Sequence, residues 1–245
     1  MFMSLDIKTL KAKFVAGKEY DLDQILALAY RDLQLRTITG HNSAIKEKCV
    51  AYLKKQFETI IKDQPLSDEK FETKHKEICD GFMGNINSFS AIEEQSYGKA
   101  QKVVNIIFKF LVAHGIWKNE NQCHMPVDSF VLHWVYGKDT YNGTAWSNLS
   151  YEQYVQVQKE ILEKIKNPIT VGSKSGIKVN NRAEADYYVW YINKVERNYK
   201  DVKNAIKKLA DNIDKDDAEC VNKADADKIV AELEKLKEKI ADIWK

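Results

Sequence analysis

Between Asn181 and Ile213 the apolar residues Tyr188, Tyr191, Val195, Tyr199, Val202, Ile206, Leu209 and Ile213 recur at steps of three and four. A strand repeats every two residues, so only a helix gathers these side chains on one face. The spacing returns in Ile229, Leu233, Leu236, Ile240 and Ile243, beyond the acidic run from Asp214 to Asp217. Two such stretches joined by a short polar loop predict an antiparallel helical hairpin over 182–245. Its first turns are expected to pack on a body formed by residues 1–181.

That body carries helix punctuation of its own. Asp21 can cap a helix to about Leu35, and Ser43 one to about Lys62. In the second, Ile45, Cys49, Tyr52, Leu53, Phe57, Ile60 and Ile61 keep helical spacing. Pro65 stops it, and Ser67 opens a helix expected to end near Gly81. Ser90 with Glu93 forms a capping box for a short helix that breaks at Ser96-Tyr97-Gly98, after which a new helix runs from about Lys99 to Ala113. Two helices around that turn make a helix–hairpin–helix unit. His114 to Met125 reads as a polar loop, and Asp128 caps a short apolar helix ending at Gly137. Ser150 and Gln153 form a second capping box, stapled by Leu149 and Tyr154, for a helix ending at Asn167-Pro168. Ile169 to Asn181 reads equally as a small β-hairpin or as a flexible loop able to contact phosphate. With only three prolines and ten glycines among 245 residues, the expected fold class is all-α.

Lysine and arginine number 38 against 36 acidic residues, a net charge of +2. Any contact with a polyanion must therefore come from a local patch rather than a global excess. Cys49, Cys79, Cys123 and Cys220 lie far apart with no paired spacing, which argues against a disulfide framework and against a zinc or iron–sulfur site. His75 with Cys79, and Cys123 with His124, are the nearest approaches to a metal pair; no metal and no cofactor is expected. No leader-like segment or membrane-spanning run stands out. The expectation is a soluble, cytoplasmic protein that does not engage a membrane.

Chemistry concentrates in two segments. In the helix from Lys99 to Ala113 apolar residues cover nearly the whole circumference, leaving Lys102, Asn105 and Lys109 as a polar line that Lys99 extends backwards. Such a stripe faces either solvent or a cleft. At the floor of a cleft, desolvation would bring the Lys102 amine towards its neutral, nucleophilic form. Asp128, delivered by Pro126-Val127, sits at a helix N-terminus, where the orphan amides and the dipole favour an ionised carboxylate.

These residues resemble a family. Gly98-Lys99-Ala100-Gln101-Lys102-Val103-Val104-Asn105-Ile106-Ile107, followed by Pro126-Val127-Asp128 and an apolar helix, is similar to the lysine and aspartate segments of the helix–hairpin–helix DNA glycosylases. The 8-oxoguanine glycosylase/lyase branch, and its archaeal members in particular, is nearest. The hairpin here has one matching glycine, Gly98, where the family usually has two, and Lys99 is a rival nucleophile one turn earlier. The resemblance implies a Schiff-base nucleophile at Lys102 and an assisting carboxylate at Asp128. It also implies excision of a damaged or modified base flipped from double-stranded DNA, with strand nicking by β-elimination. A base pocket would then need stacking surfaces and amides, for which Trp134, Trp146, Gln101 and Asn105 are the candidates, with Trp190, Tyr187, Phe89 and Asn148 also available. Gly98, Lys99, Lys174 and Lys178, together with Arg182, are the candidate DNA contacts. The alternative is a non-enzymatic helical module that binds nucleic acid, or a protein partner through its C-terminal hairpin.

Overall fold

A computed structural model describes residues 6–32, 43–87, 97–137, 143–169 and 177–213, together with Ala231 and Lys235. The protein is all-α. Eight α-helices are seen among the described residues: α1 (Ile7–Phe14), α2 (Leu22–Asp32), α3 (Ser43–Lys62), α4 (Asp68–Asn87), α5 (Tyr97–Ala113), α6 (Ser129–Tyr136), α7 (Tyr151–Lys164) and α8 (Arg182–Ile213). Two single 3-10 turns, Glu120–Gln122 and Trp146–Asn148, interrupt the loops on either side of α6. Extended pairing among these residues comes down to one antiparallel bridge, Ile169 with Ile177, closed by two hydrogen bonds of 2.7 Å. None of the described helices is long and apolar enough to cross a membrane.

The chain divides into two compact units, Met1–Val189 and Trp190–Lys245. The division falls inside α8, about two turns beyond the 181/182 boundary expected from the sequence. Asn181 caps α8 by accepting the Glu184 amide at 2.8 Å. The first two turns of α8 belong to the first unit, where Ala185 and Tyr187 are fully buried. In the second arm of the predicted hairpin, Ala231 and Lys235 are helical; the rest of that arm, Cys220 included, lies outside the described residues.

Helix α5 is the axis of the first unit. It packs against α1, α2, α4, α7 and the 3-10 turn at Trp146, and every residue from Tyr97 to Val112 is buried. A helix that is apolar nearly all round has no face to give to water, so it is stable only when neighbours enclose it. Phe108 anchors this enclosure. Its ring centroid lies 5.0 Å from that of Phe57, 5.2 Å from Phe71 and 5.1 Å from Trp117, within the range where aromatic rings attract one another beyond simple burial.

Two expectations need correction. Helix α4 does not stop near Gly81 but continues to Asn87. Gly81 is a packing residue rather than a breaker, because a Cβ there would come within 2.0 Å of the Tyr52 hydroxyl on α3. Helix α5 starts at Tyr97, so Gly98 lies in its first turn rather than in a connecting hairpin. The capping box of Ser90 and Glu93 and the turn that follows it lie outside the described residues.

Candidate functional site

Three pieces of chain converge beside the first half of α5. Lys102 projects from the helix, and Asp128 arrives on the extended segment that precedes α6. Trp146 comes from the 3-10 turn that precedes α7. The Lys102 Nζ lies 3.9 Å from Asp128 Oδ2 and 4.6 Å from the Trp146 ring centroid. The Lys102 side chain is one-tenth exposed and that of Asp128 one-third, so the pair sits at the protein's edge, enclosed on the lysine side and open on the aspartate side.

The two oxygens of Asp128 have different work. Oδ1 accepts the amides of Phe130 at 2.9 Å and Val131 at 3.0 Å, capping α6, while Oδ2 faces the lysine. A carboxylate so divided is held by the helix end through one oxygen and keeps the other for an ammonium or for positive charge that develops nearby.

Trp146 is placed by Gly98. The Gly98 amide donates to the Leu149 carbonyl at 3.0 Å, and a Cβ at position 98 would stand 1.8 Å from the Trp146 carbonyl oxygen. Only a glycine lets the turn approach so closely. The same hydrogen bond occupies the amide that the resemblance offered to a DNA phosphate.

Two turns along α5 from Lys102, on the same face, Lys109 Nζ meets Asp186 Oδ2 at 2.9 Å. Both residues are buried. Phe14 and Tyr187 flank the ammonium at 4.6 and 5.0 Å to their ring centroids, and the Tyr187 hydroxyl donates to the Lys109 carbonyl at 2.6 Å. Burial pushes the Lys109 ammonium towards easier proton loss and the Asp186 carboxyl up, while each partner opposes the other's shift. Asp128 is within electrostatic reach of both, and Asp32 within reach of Lys102 and Lys109. Two lysines and three aspartates thus form one cluster along α5.

The buried Lys109–Asp186 pair was not anticipated from the sequence. Its signals were there: a lysine seven residues beyond Lys102, and an aspartate set among Ala183, Ala185, Tyr187 and Val189, all of which are buried.

Gln101 and Asn105, expected to meet a substrate, are instead spent inside the protein. Both are wholly buried. Gln101 Nε2 donates to the Gly98 carbonyl at 2.8 Å and the Val127 carbonyl at 2.7 Å. Its Oε1 accepts the Val127 amide at 3.0 Å and Asn105 Nδ2 at 3.1 Å. Asn105 Nδ2 also donates to the Tyr154 hydroxyl at 2.9 Å and approaches the Met125 carbonyl at 3.4 Å.

From Asn105 a line of hydrogen bonds runs outward in a direction its ends dictate. The Tyr154 hydroxyl accepts from Asn105, so it donates to His124 Nδ1 at 2.6 Å, and His124 Nε2–H donates to Glu72 at 2.7 Å. On the other side His75 Nε2–H donates to Asn105 Oδ1 at 2.7 Å. Both imidazoles are neutral in this arrangement. Burial, followed by the proximity of His124, pushes His75 down to about 3. Burial and then the Arg182 guanidinium push His124 well below its ordinary value.

The other expected residues are dispersed. Trp134 is on α6 with the Lys164 ammonium 5.4 Å from its ring. Trp190, in the second unit, pairs with Lys194 at 5.7 Å. Lys99 is buried, and desolvation draws its ammonium towards easier proton loss. Lys178 is exposed just beyond the β-bridge, while Lys174 and Phe89 lie outside the described residues. His75 Nδ1 is 4.0 Å from Cys79 Sγ, and no three His, Cys, Asp or Glu side chains among the described residues gather as a metal site would need. No protein-family model, curated protein or solved structure matches this chain.

Proposed function

We propose that the protein is a DNA glycosylase with lyase capability, of the helix–hairpin–helix class, acting on a damaged or modified base flipped from double-stranded DNA. The observation that carries this reading is the approach of Lys102 Nζ to Asp128 Oδ2 at 3.9 Å under the Trp146 ring. In the reaction Lys102 loses a proton and its amine attacks C1′ of the extruded nucleotide. The N–C1′ bond to lysine forms as the glycosidic bond breaks, and the base leaves with the bonding electrons and takes a proton from solvent. Asp128 Oδ2 faces the sugar's developing positive charge and accepts the proton shed by the amine, while Oδ1 stays bound to the α6 amides. Opening of the sugar ring gives a Schiff base, from which loss of a C2′ proton expels the 3′ phosphate. Trp146 offers the stacking face for a flipped base, and Lys99, Lys174 and Lys178 are the proposed phosphate contacts.

The test is borohydride trapping on duplexes carrying 8-oxoguanine or an abasic site. The wild-type protein is expected to form a covalent adduct. Lys102→Gln is expected to form none, and Asp128→Asn to slow trapping by about 100-fold or more. Absence of any wild-type adduct on either duplex would overturn the lyase claim.

A further inference from the structure

We propose that Gln101 is the residue that positions Asp128 against Lys102, an inference that rests on the glycosylase reading for its meaning but not for its measurement. Lys102 and Asp128 belong to separate elements, and no backbone ladder joins α5 to the segment before α6. The close connection is one side-chain amide, Asn105 adding only a longer approach to the Met125 carbonyl at 3.4 Å. Gln101, next to Lys102, reads both backbone groups of Val127, next to Asp128: Nε2 donates to the Val127 carbonyl at 2.7 Å, and Oε1 accepts the Val127 amide at 3.0 Å. Two opposed hydrogen bonds to one residue mimic the pairing of neighbouring strands and set register as well as distance.

The amide cannot rotate out of this position. Its remaining donor is held by the Gly98 carbonyl and its remaining acceptor by Asn105, so all of its hydrogen-bonding capacity is in use. A flip would set donor against donor and acceptor against acceptor in a site without exposure to water. Gln158 on α7 provides a built-in comparison. It grips Met125 in the same manner, with Oε1 accepting the amide at 3.3 Å and Nε2 donating to the carbonyl at 2.7 Å. Met125 is three residues from Asp128, and α7 does not carry the lysine. Gln101 alone ties the neighbour of one reacting group to the neighbour of the other.

The test compares Gln101→Met, Gln101→Glu and Gln158→Met in the full-length chain, by two readouts. The first is amide hydrogen exchange without DNA. Gln101→Met is expected to speed exchange of Val127, and of Phe130 and Val131 whose amides Asp128 caps, by about tenfold or more while Met125 stays protected; Gln158→Met is expected to do the reverse. The second is single-turnover trapping on an abasic-site duplex. Here Gln101→Met is expected to fall about 100-fold, the scale of an ångström of misplacement, with duplex affinity unchanged within about threefold, and Gln158→Met to remain close to wild type.

Gln101→Glu keeps a donor only when its carboxyl is protonated, so its rate relative to wild type should rise as pH falls, a response that loss of packing alone would not produce. Unchanged exchange at Val127, Phe130 and Val131 in Gln101→Met would overturn the proposal, as would equal losses of trapping in the two methionine variants. If the wild-type protein traps no DNA, the glycosylase reading falls, and the exchange pattern alone decides whether Gln101 sets Asp128.

Discussion

Two sets of polar groups on neighbouring parts of one α5 arc are treated in opposite ways. In one, Gln101 and Asn105 belong to a neutral network with His75, His124 and Tyr154, in which each donor meets an acceptor and the bonds run in one consistent direction. In the other, Lys102 and Lys109 stand among aspartates and aromatic rings as charges held partly or wholly out of water. Neutral amides suit a structural task, because their burial is compensated once each is hydrogen-bonded. Charges are costly to bury even when paired, so a fold seldom keeps them for stability alone. The neutral set ties neighbouring elements to α5, and the charged set holds the pair proposed to react.

The strongest way to break this comparison is to remove one member of the buried ion pair. Lys109→Met leaves the Asp186 carboxylate in the interior without its cation and is expected to cost about 3–5 kcal/mol in denaturant unfolding. Lys109→Met with Asp186→Leu should recover most of that loss. A single variant as stable as wild type would mean that the pair is not buried as described.

Acid should act on the neutral set. His75 and His124 are neutral in the folded protein with depressed pKa values, whereas in the unfolded chain they titrate near 6.5. Their contribution is thus complete above the unfolded value and is lost as pH falls towards the folded ones. Below about pH 6.5 each histidine should remove up to about 1.4 kcal/mol per pH unit. Unfolding measured across pH 7 to 4 should show that slope, and His75→Gln should roughly halve it. A smaller effect is expected where the two sets meet at one residue. Gly98→Ala drives a methyl into the Trp146 carbonyl and is expected to cost about 1–3 kcal/mol while shifting Trp146 from Lys102; a melting temperature equal to wild type would refute the close approach.

Local signals were the most legible part of the chain. The capping box at Ser150 and Gln153 and the Asp128 cap both appear where the sequence puts them, because each bond closes within three residues. Gly81 shows the converse: in α4 it makes room for a tyrosine on another helix, Tyr52, 29 residues away. The polar line of Lys102, Asn105 and Lys109 was legible as a set on one arc of α5, but not as two groups with different partners.

Sequence alone therefore determined that this protein is helical, where most of its described helices begin, and which residues form the polar line of α5. Tertiary structure decided that Lys102 and Asp128 meet, that Gln101 and Asn105 turn inward, and that Lys109 finds Asp186. The physical reason is distance along the chain. Periodicity and caps are settled by neighbours within a turn or two, whereas hydrogen bonds such as Gln101 to Val127 and ion pairs such as Lys109 to Asp186 join residues 26 and 77 positions apart, and only the packed chain brings those together.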